Sequence, residues 1–408
     1  MTDSAFPIRL AERMSHLPDY MFEKINVLRQ QLRREGQDLI DMSMGNPKDP
    51  TPKPIVDKLT EVVHDPRNHR YSVATGIYNL RNELAKYYAA QHDVALMPDK
   101  EVLATIGSKE GFSHLTLALL GPGERALVPA PAYPIHSYSV VLAGAEPVPL
   151  RIEDDAQMLK DLVAHCETGR PRPKVLFLNY PHNPTSKCVE LAFFDEIVQI
   201  ARKYELIVVH DFAYGRVTYD GFKAPSFLQA KGAKEVGVEF GTMSKSYNMA
   251  GWRIGYAVGN RAIVGALNRI KGYYDYGIFQ ALQIAAIIAL REGEPFIAAQ
   301  AEIYRKRRDV VVSGLQAAGW PVEPPKAGMF VWVKIPEPFA AEGSYAFAMR
   351  LMKDAGTVVS PGIGFGPEGE GYVRMALVEN EKRLKQAMRG IRMKFSTGGA
   401  MAGMKKAQ

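Results

Sequence analysis

The sequence predicts an α/β protein, with a large domain on a mostly parallel sheet followed by a smaller α+β domain. Three observations carry that prediction. Short apolar runs alternate with helical patterns through the first two-thirds of the chain. Those runs are mostly apolar on consecutive positions, as strands buried on both faces are. Beyond Pro295 the order changes to one long helix and then strands that flank another helix.

In chain order, the first forty residues hold an extended segment, HLPDYMF, and then a helix from Glu23 to Glu35 closed by Gly36. The spacing of Ile77, Leu80, Leu84 and Tyr87 predicts an amphipathic helix. VLATI, RALVP, KVLFLNY, LIVVHD, VEFGTM and RIGYAV then read as strands, and the helical patterns between them imply parallel neighbours. This block makes residues 50–290 the large domain, with residues 1–49 an N-terminal arm that also contributes to the small domain. A helix from Pro295 to Ala318 opens the small domain, residues 291–395. In it MFVWVKI and YVRMAL read as strands separated by a helix at Tyr345 to Asp354. The glycine-rich tail, residues 396–408, is expected to be disordered.

Composition narrows the function classes. At 408 residues, 47% hydrophobic and 23% charged, the chain is an ordinary globular one with room for two domains. The net charge of +7 is dispersed. Its one dense run, Arg305 to Arg308, falls in a helical stretch and reads as a solvated face, so no nucleic-acid partner is expected. Two cysteines, Cys166 and Cys188, exclude a disulfide framework and fit a reducing compartment. The nine histidines form no HExxH pair and no CxxC occurs, so no metal site is expected. The first residues carry no signal-like apolar core, and the longest apolar helical run, Ala281 to Leu290, is too short to span a bilayer. A cytoplasmic protein with no membrane partner is the expectation.

Four strand ends carry polar residues that a buried sheet has no structural reason to place there. After VEFGTM comes Lys245, set among hydroxyls and an amide, with Arg253 eight residues on, at the start of the next apolar stretch. In open α/β sheets ligands collect at the carboxyl ends of strands, and cations at the ends of buried elements need an anionic or covalent partner. After VLATI comes Gly107-Ser108-Lys109, opening a helix whose N–H groups and dipole suit a phosphate; taken alone it is also an ordinary helix cap. After KVLFLNY, two prolines bracket Asn183, either as a plain turn or to hold its amide rigid. After LIVVH comes Asp211, a helix cap or a cation's partner, with Tyr214 three residues later. Together these features ask for a ligand with a phosphate, a ring nitrogen that wants a carboxylate, a phenolic oxygen and an aldehyde for Lys245. Pyridoxal 5'-phosphate has all four.

TMSKSYNMAGWRIG resembles the pyridoxal-lysine signature of class I aminotransferases of fold type I. The resemblance continues through HNPT, HDFAY, RYSVATGIYNLR and SPGIGFGPEGEGYVR, from about Leu17 to Phe395. Within the family it extends to the bacterial glutamate-pyruvate (alanine) aminotransferases. Thr242 stands where many relatives have serine, which keeps the hydroxyl. The resemblance implies a mostly parallel seven-stranded sheet and pyridoxal phosphate as cofactor. It makes Lys245 the covalent anchor and proton carrier, Asp211 the partner of the pyridine nitrogen, and Tyr214 and Asn183 the partners of the ring oxygen. Tyr133 stacks on the ring, with a core tyrosine as the rival reading. Ser108, Lys109, Thr242 and Arg253 bind the phosphate, and Tyr71 reaches the phosphate of a neighbouring subunit, implying a homodimer. Arg374 binds the substrate α-carboxylate, and Gly45 lets backbone approach the substrate.

The implied reaction is transfer of an amino group between an L-amino acid and a 2-oxo acid, with alanine and 2-oxoglutarate as the leading pair. Aspartate, methionine, aromatic or diaminopimelate donors, and a pyridoxal-dependent lyase or synthase of the same fold, are the alternatives. A non-catalytic regulator would need a DNA-binding module ahead of the cofactor domain, for which the chain has no room. Gly364 to Gly369 matches GxGxxG but precedes a strand, which argues against a dinucleotide site.

Overall fold

The computed structural model describes residues 8–18 and 21–397. Residues 1–7, 19–20 and 398–408 lie outside the described residues, and with them parts of the expected arm and nearly all of the tail expected to be disordered. The segment HLPDYMF ends differently from its reading, because Met21 already opens the helix Met21–Arg34.

The large sheet has seven strands: β1 (Val102–Thr105), β2 (Arg125–Ala130), β3 (Glu146–Arg151), β4 (Val175–Asn179), β5 (Ile207–Asp211), β6 (Gly237–Thr242) and β7 (Gly255–Gly259). Their spatial order is β1-β7-β6-β5-β4-β2-β3. The run from β3 to β6 is parallel, and β7 lies antiparallel to both of its neighbours. The α/β class and the mostly parallel sheet follow the sequence, and for the reason given there. In β4, Leu176 and Leu178 face one core with Leu84, Tyr88 and Phe194, while Val175 and Phe177 face another with Phe112, Leu115 and Phe240. A strand whose alternate residues both find a core must be apolar at every position.

In the large sheet, the strand that sequence reading missed is β3, EPVPLR. It carries Pro147 and Pro149 and alternates in burial. It sits at the sheet edge and, among the described residues, pairs only with β2, so the donors its prolines lack are not needed on the open side.

A second unit forms around β8 (Phe330–Lys334), β9 (Ser360–Pro361) and β10 (Tyr372–Ala376), antiparallel in the order β9-β10-β8. Helices Glu294–Ala317, Ser344–Ala355 and Glu381–Phe395 close over it, burying Trp320, Phe347, Leu351 and Phe395. Ile40–Asp41 pairs in parallel with Thr357–Val358, which ties the segment after the first helix to this unit.

The Arg305 to Arg308 run is not the solvated face expected of it. Arg307 and Arg308 are 4% and 5% exposed. Arg307 makes a two-pronged bond to Asp49 at 2.7 Å on each arm, and Arg308 pairs with Asp220. The helix turns half the run inward, where distant carboxylates balance the charge. Among the described residues no helix is long and apolar enough to cross a membrane.

Candidate active site

Because β4, β5 and β6 run parallel, their last residues Asn179, Asp211 and Thr242 arrive at one edge of the sheet. That edge, the start of helix Ser108–Leu119 and the second unit enclose a cavity of about 620 Å³. Every site residue expected from the sequence lines it except Tyr71.

A short helix, Met243–Ser246, follows β6 directly; Thr242 caps it by accepting the Ser244 N–H at 3.1 Å. The turn delivers Lys245 into the cavity, where its Nζ donates to the Gly45 carbonyl at 2.5 Å. Burial, with the Arg374 and Arg253 charges adding to it, pushes the Lys245 pKa down from 10.5 to about 8. A side chain on Gly45 would meet the Phe330 ring at 2.6 Å, so only glycine lets this backbone pass so close.

Asp211 is buried at the end of β5. Its carboxylate lies 3.1 Å from His136 Nε2 and accepts the Ala213 N–H at 3.3 Å. Asn179, its neighbour in register on β4, donates to the Asp211 carbonyl at 2.7 Å and accepts the Asn183 N–H at 2.8 Å. One amide thus fixes both the carboxylate strand and the proline loop beside it. Asn183 in turn donates toward the Tyr214 hydroxyl at 3.4 Å and accepts from Arg374 Nη1 at 2.7 Å. Burial pushes the Tyr214 phenol well up, with Arg374 opposing, so it keeps its proton and can donate. Arg374 is itself buried, between the Phe330 and Phe365 rings at 4.1 and 4.6 Å, and also donates to the Ser43 carbonyl at 2.7 Å.

The opposite corner is cationic. Gly107 precedes the helix at φ +77°, and a side chain there would overlap the Arg253 guanidinium. Lys109, in the first turn, has its pKa lowered by burial and by Arg253. Two cations with a helix N-terminus and the Ser108 and Thr242 hydroxyls form a corner for a dianion. An amine of lowered pKa and a buried carboxylate face the same space. This donor set fits pyridoxal phosphate: Ser108, Lys109, Thr242 and Arg253 would hold the phosphate, Asp211 the ring nitrogen and Lys245 the aldehyde.

The profile of the family described as aminotransferase class I and II matches residues 37–391. The chain belongs to the class I and II aminotransferases. It is a pyridoxal-phosphate-dependent enzyme whose substrates are amino acids and 2-oxo acids. It is 49% identical to the glutamate-pyruvate aminotransferase AlaC of Escherichia coli K12, over 98% of this chain and 97% of that one. It is 42% identical to an LL-diaminopimelate aminotransferase of Moorella thermoacetica, over 94% and 97%. A double mutant of Thermus thermophilus aspartate aminotransferase superposes with a TM-score of 0.87 at 25% identity, covering 95% of this chain and all of that one (100%), and shares the fold type I architecture.

The aminotransferase places one expected residue elsewhere. Tyr71 is 91% exposed and packs on Tyr276, ring centroids 5.4 Å apart, outside its own chain's cavity. Sequence reasoning missed His136, Asn179, Arg29, Asp41 and Lys48. His136 and Asp211 are 75 residues apart, and no local pattern joins them. Asn179 had a signal: a polar residue ending a fully apolar run two positions before Pro181 opens the proline loop. The GxGxxG segment forms two short 3-10 turns and runs into β10, as its rejection required. Glu110, His114 and Asp275 bring potential ligand atoms within 4.8 Å of one another, and the buried Lys271 ammonium donates to both carboxylates at 3.0 to 3.1 Å, which balances that charge.

Proposed function

We propose that this aminotransferase moves the amino group between L-alanine and 2-oxoglutarate, giving pyruvate and glutamate. The observation that carries the reading is the near-full-length likeness, at 49% identity, to a glutamate-pyruvate aminotransferase. A second reading, LL-diaminopimelate as donor, is favoured by the 42% likeness to enzymes of that name.

When bound, pyridoxal phosphate supplies an aldehyde that takes up amines and a protonated ring that accepts the electron pair left at the substrate Cα. Lys245 would hold the aldehyde and is the group placed to carry the proton of the substrate Cα; a pKa near 8 suits that exchange at neutral pH. Asp211, held by His136 and the Ala213 N–H, would be the partner of the ring nitrogen. Tyr214 and Asn183, which line the same cavity, would donate to the ring oxygen, and Tyr133 would pack against the ring. Ser108, Lys109, Thr242 and Arg253 would hold the phosphate. Arg374 presents its guanidinium as a fork to the substrate α-carboxylate, oriented by Asn183 and Ser43.

The exposure of Tyr71 supports a homodimer in which this tyrosine completes the partner's phosphate site. The parallel pairing of Ile40–Asp41 with Thr357–Val358 supports assigning part of residues 1–49 to the small domain with 291–395, leaving 50–290 as the cofactor domain.

The test is a donor screen by visible absorbance of the purified holoenzyme. Alanine and glutamate should each convert the cofactor to its amine form, and pyruvate and 2-oxoglutarate should reverse it. Conversion by LL-diaminopimelate but not by alanine would replace the reading with the second one.

A further inference from the structure

The roles above leave two cations of the cavity without a task, Arg29 on the first helix and Lys48 on the loop after Gly45. Lys48 is half exposed and pairs with Glu379. Arg29 is different. Its side chain is 19% exposed, and among the described residues only its Nη1 is bonded, to Asp41 Oδ2; its Nε is buried with no partner. Asp41 cannot use up the rest of the fork, because its other oxygen already accepts the Ser43 N–H at 3.0 Å and the Ser43 hydroxyl at 2.6 Å. Ser43 is also the residue whose carbonyl accepts from Arg374. A chain of hydrogen bonds, Arg29 to Asp41 to Ser43 to Arg374, therefore ties two of the three guanidiniums of this cavity together, one expected to bind the α-carboxylate and one with donors to spare.

We infer that Arg29 is the specificity-determining residue that receives the side-chain carboxylate of a dicarboxylic substrate, glutamate or 2-oxoglutarate. The inference rests on the proposed function for the substrate's identity and on Arg374 for the other carboxylate. A guanidinium with unused N–H groups in a partly desolvated wall rewards a second carboxylate and gives nothing to a methyl group. Asp41, with both oxygens engaged, holds the fork in place and is poorly free to receive the distal ammonium of a diaminopimelate, so the pair favours a plain dicarboxylate.

The experiment compares binding of glutarate with valerate, the monocarboxylate of equal length, to pyridoxal-loaded wild type, Arg29→Met and Arg29→Lys by absorbance titration. KM is measured in parallel for 2-oxoglutarate and pyruvate. Wild type should prefer glutarate by about tenfold or more. Arg29→Met should lose that preference and raise the KM for 2-oxoglutarate by a similar factor while pyruvate stays within about twofold, and Arg29→Lys should recover part of it. Should Arg29→Met fail to fold, Arg29→Lys carries the comparison through its loss of part of the preference. An unchanged glutarate preference in the variants, or an equal loss for both acids, would overturn the inference, the latter because it marks Arg29 as only a tether for its helix. The titration uses no turnover, so it still decides the role of Arg29 if the donor screen rejects alanine and glutamate.

Discussion

At the scale of single residues, the chemistry rests on one amine whose charge the fold has made costly. Lys245→Ala should leave the fold intact, shown by an unchanged circular dichroism spectrum, and abolish turnover; borohydride should then fix no cofactor at position 245, where wild type carries it. The lowered pKa has two consequences of definite sign. The neutral amine is the nucleophile, and a value near 8 leaves roughly a tenth of it neutral at pH 7. The rate at which cofactor-free protein captures pyridoxal phosphate should therefore rise with pH through a midpoint near 8, and a midpoint near the ordinary 10.5 would contradict it. Between about 8 and 10.5 the folded chain binds fewer protons at this site than the unfolded chain, so the Lys245 contribution to stability grows more favourable with rising pH across that window and is flat on either side. This residue was legible in sequence because strand, hydroxyls, lysine and arginine lie within one short stretch. His136 was not, because a histidine near an aspartate means nothing until two strands and a helix bring them to 3.1 Å.

At the scale of elements, strands were read from apolar runs and helices from their periodicity, and both readings failed where the tertiary environment changed the rule. β3 looks like a loop because two prolines interrupt it, yet an edge strand tolerates them. The basic run in helix Glu294–Ala317 looks like a solvated face, yet its Arg307 is buried against Asp49, four residues from Gly45 in the loop that passes Lys245. Arg307→Met should thus lower stability by about 3 kcal/mol, because it leaves Asp49 partly buried without its cation. It should also weaken cofactor retention by loosening that loop. A fall in the urea midpoint on unfolding checks the first effect, and adding Asp49→Asn should recover part of it. A midpoint within error of wild type would show that the pair adds no net stability.

At the scale of the whole molecule, the question is whether one chain holds a complete site. Tyr71 stands on the surface beside Tyr276, with Tyr273 and Tyr274 also exposed, and none of them reaches its own cavity. If Tyr71 serves a neighbouring subunit, two dead variants can repair each other. Lys245→Ala and Tyr71→Ala chains, unfolded together and refolded as a mixture, should form heterodimers with one doubly damaged and one intact site. An equal mixture should then recover about a quarter of wild-type activity per chain, if Tyr71→Ala alone is inactive. Activity no higher than the sum of the separate variants would confine each site to one chain.

The amino-acid sequence alone determined the class of fold, since runs apolar on both faces have no other stable home than a covered parallel sheet. It also determined the cofactor, since the groups that hold it follow strand ends that local pattern can find. The tertiary structure decided which charges are spent on each other and which remain for substrate. Arg307 and Arg29 are both ordinary helix arginines in sequence; Arg307 gives both of its terminal nitrogens to Asp49, whereas among the described residues Arg29 gives only its Nη1, to Asp41. That difference depends on partners far along the chain, and only the packing of the two units brings them into reach.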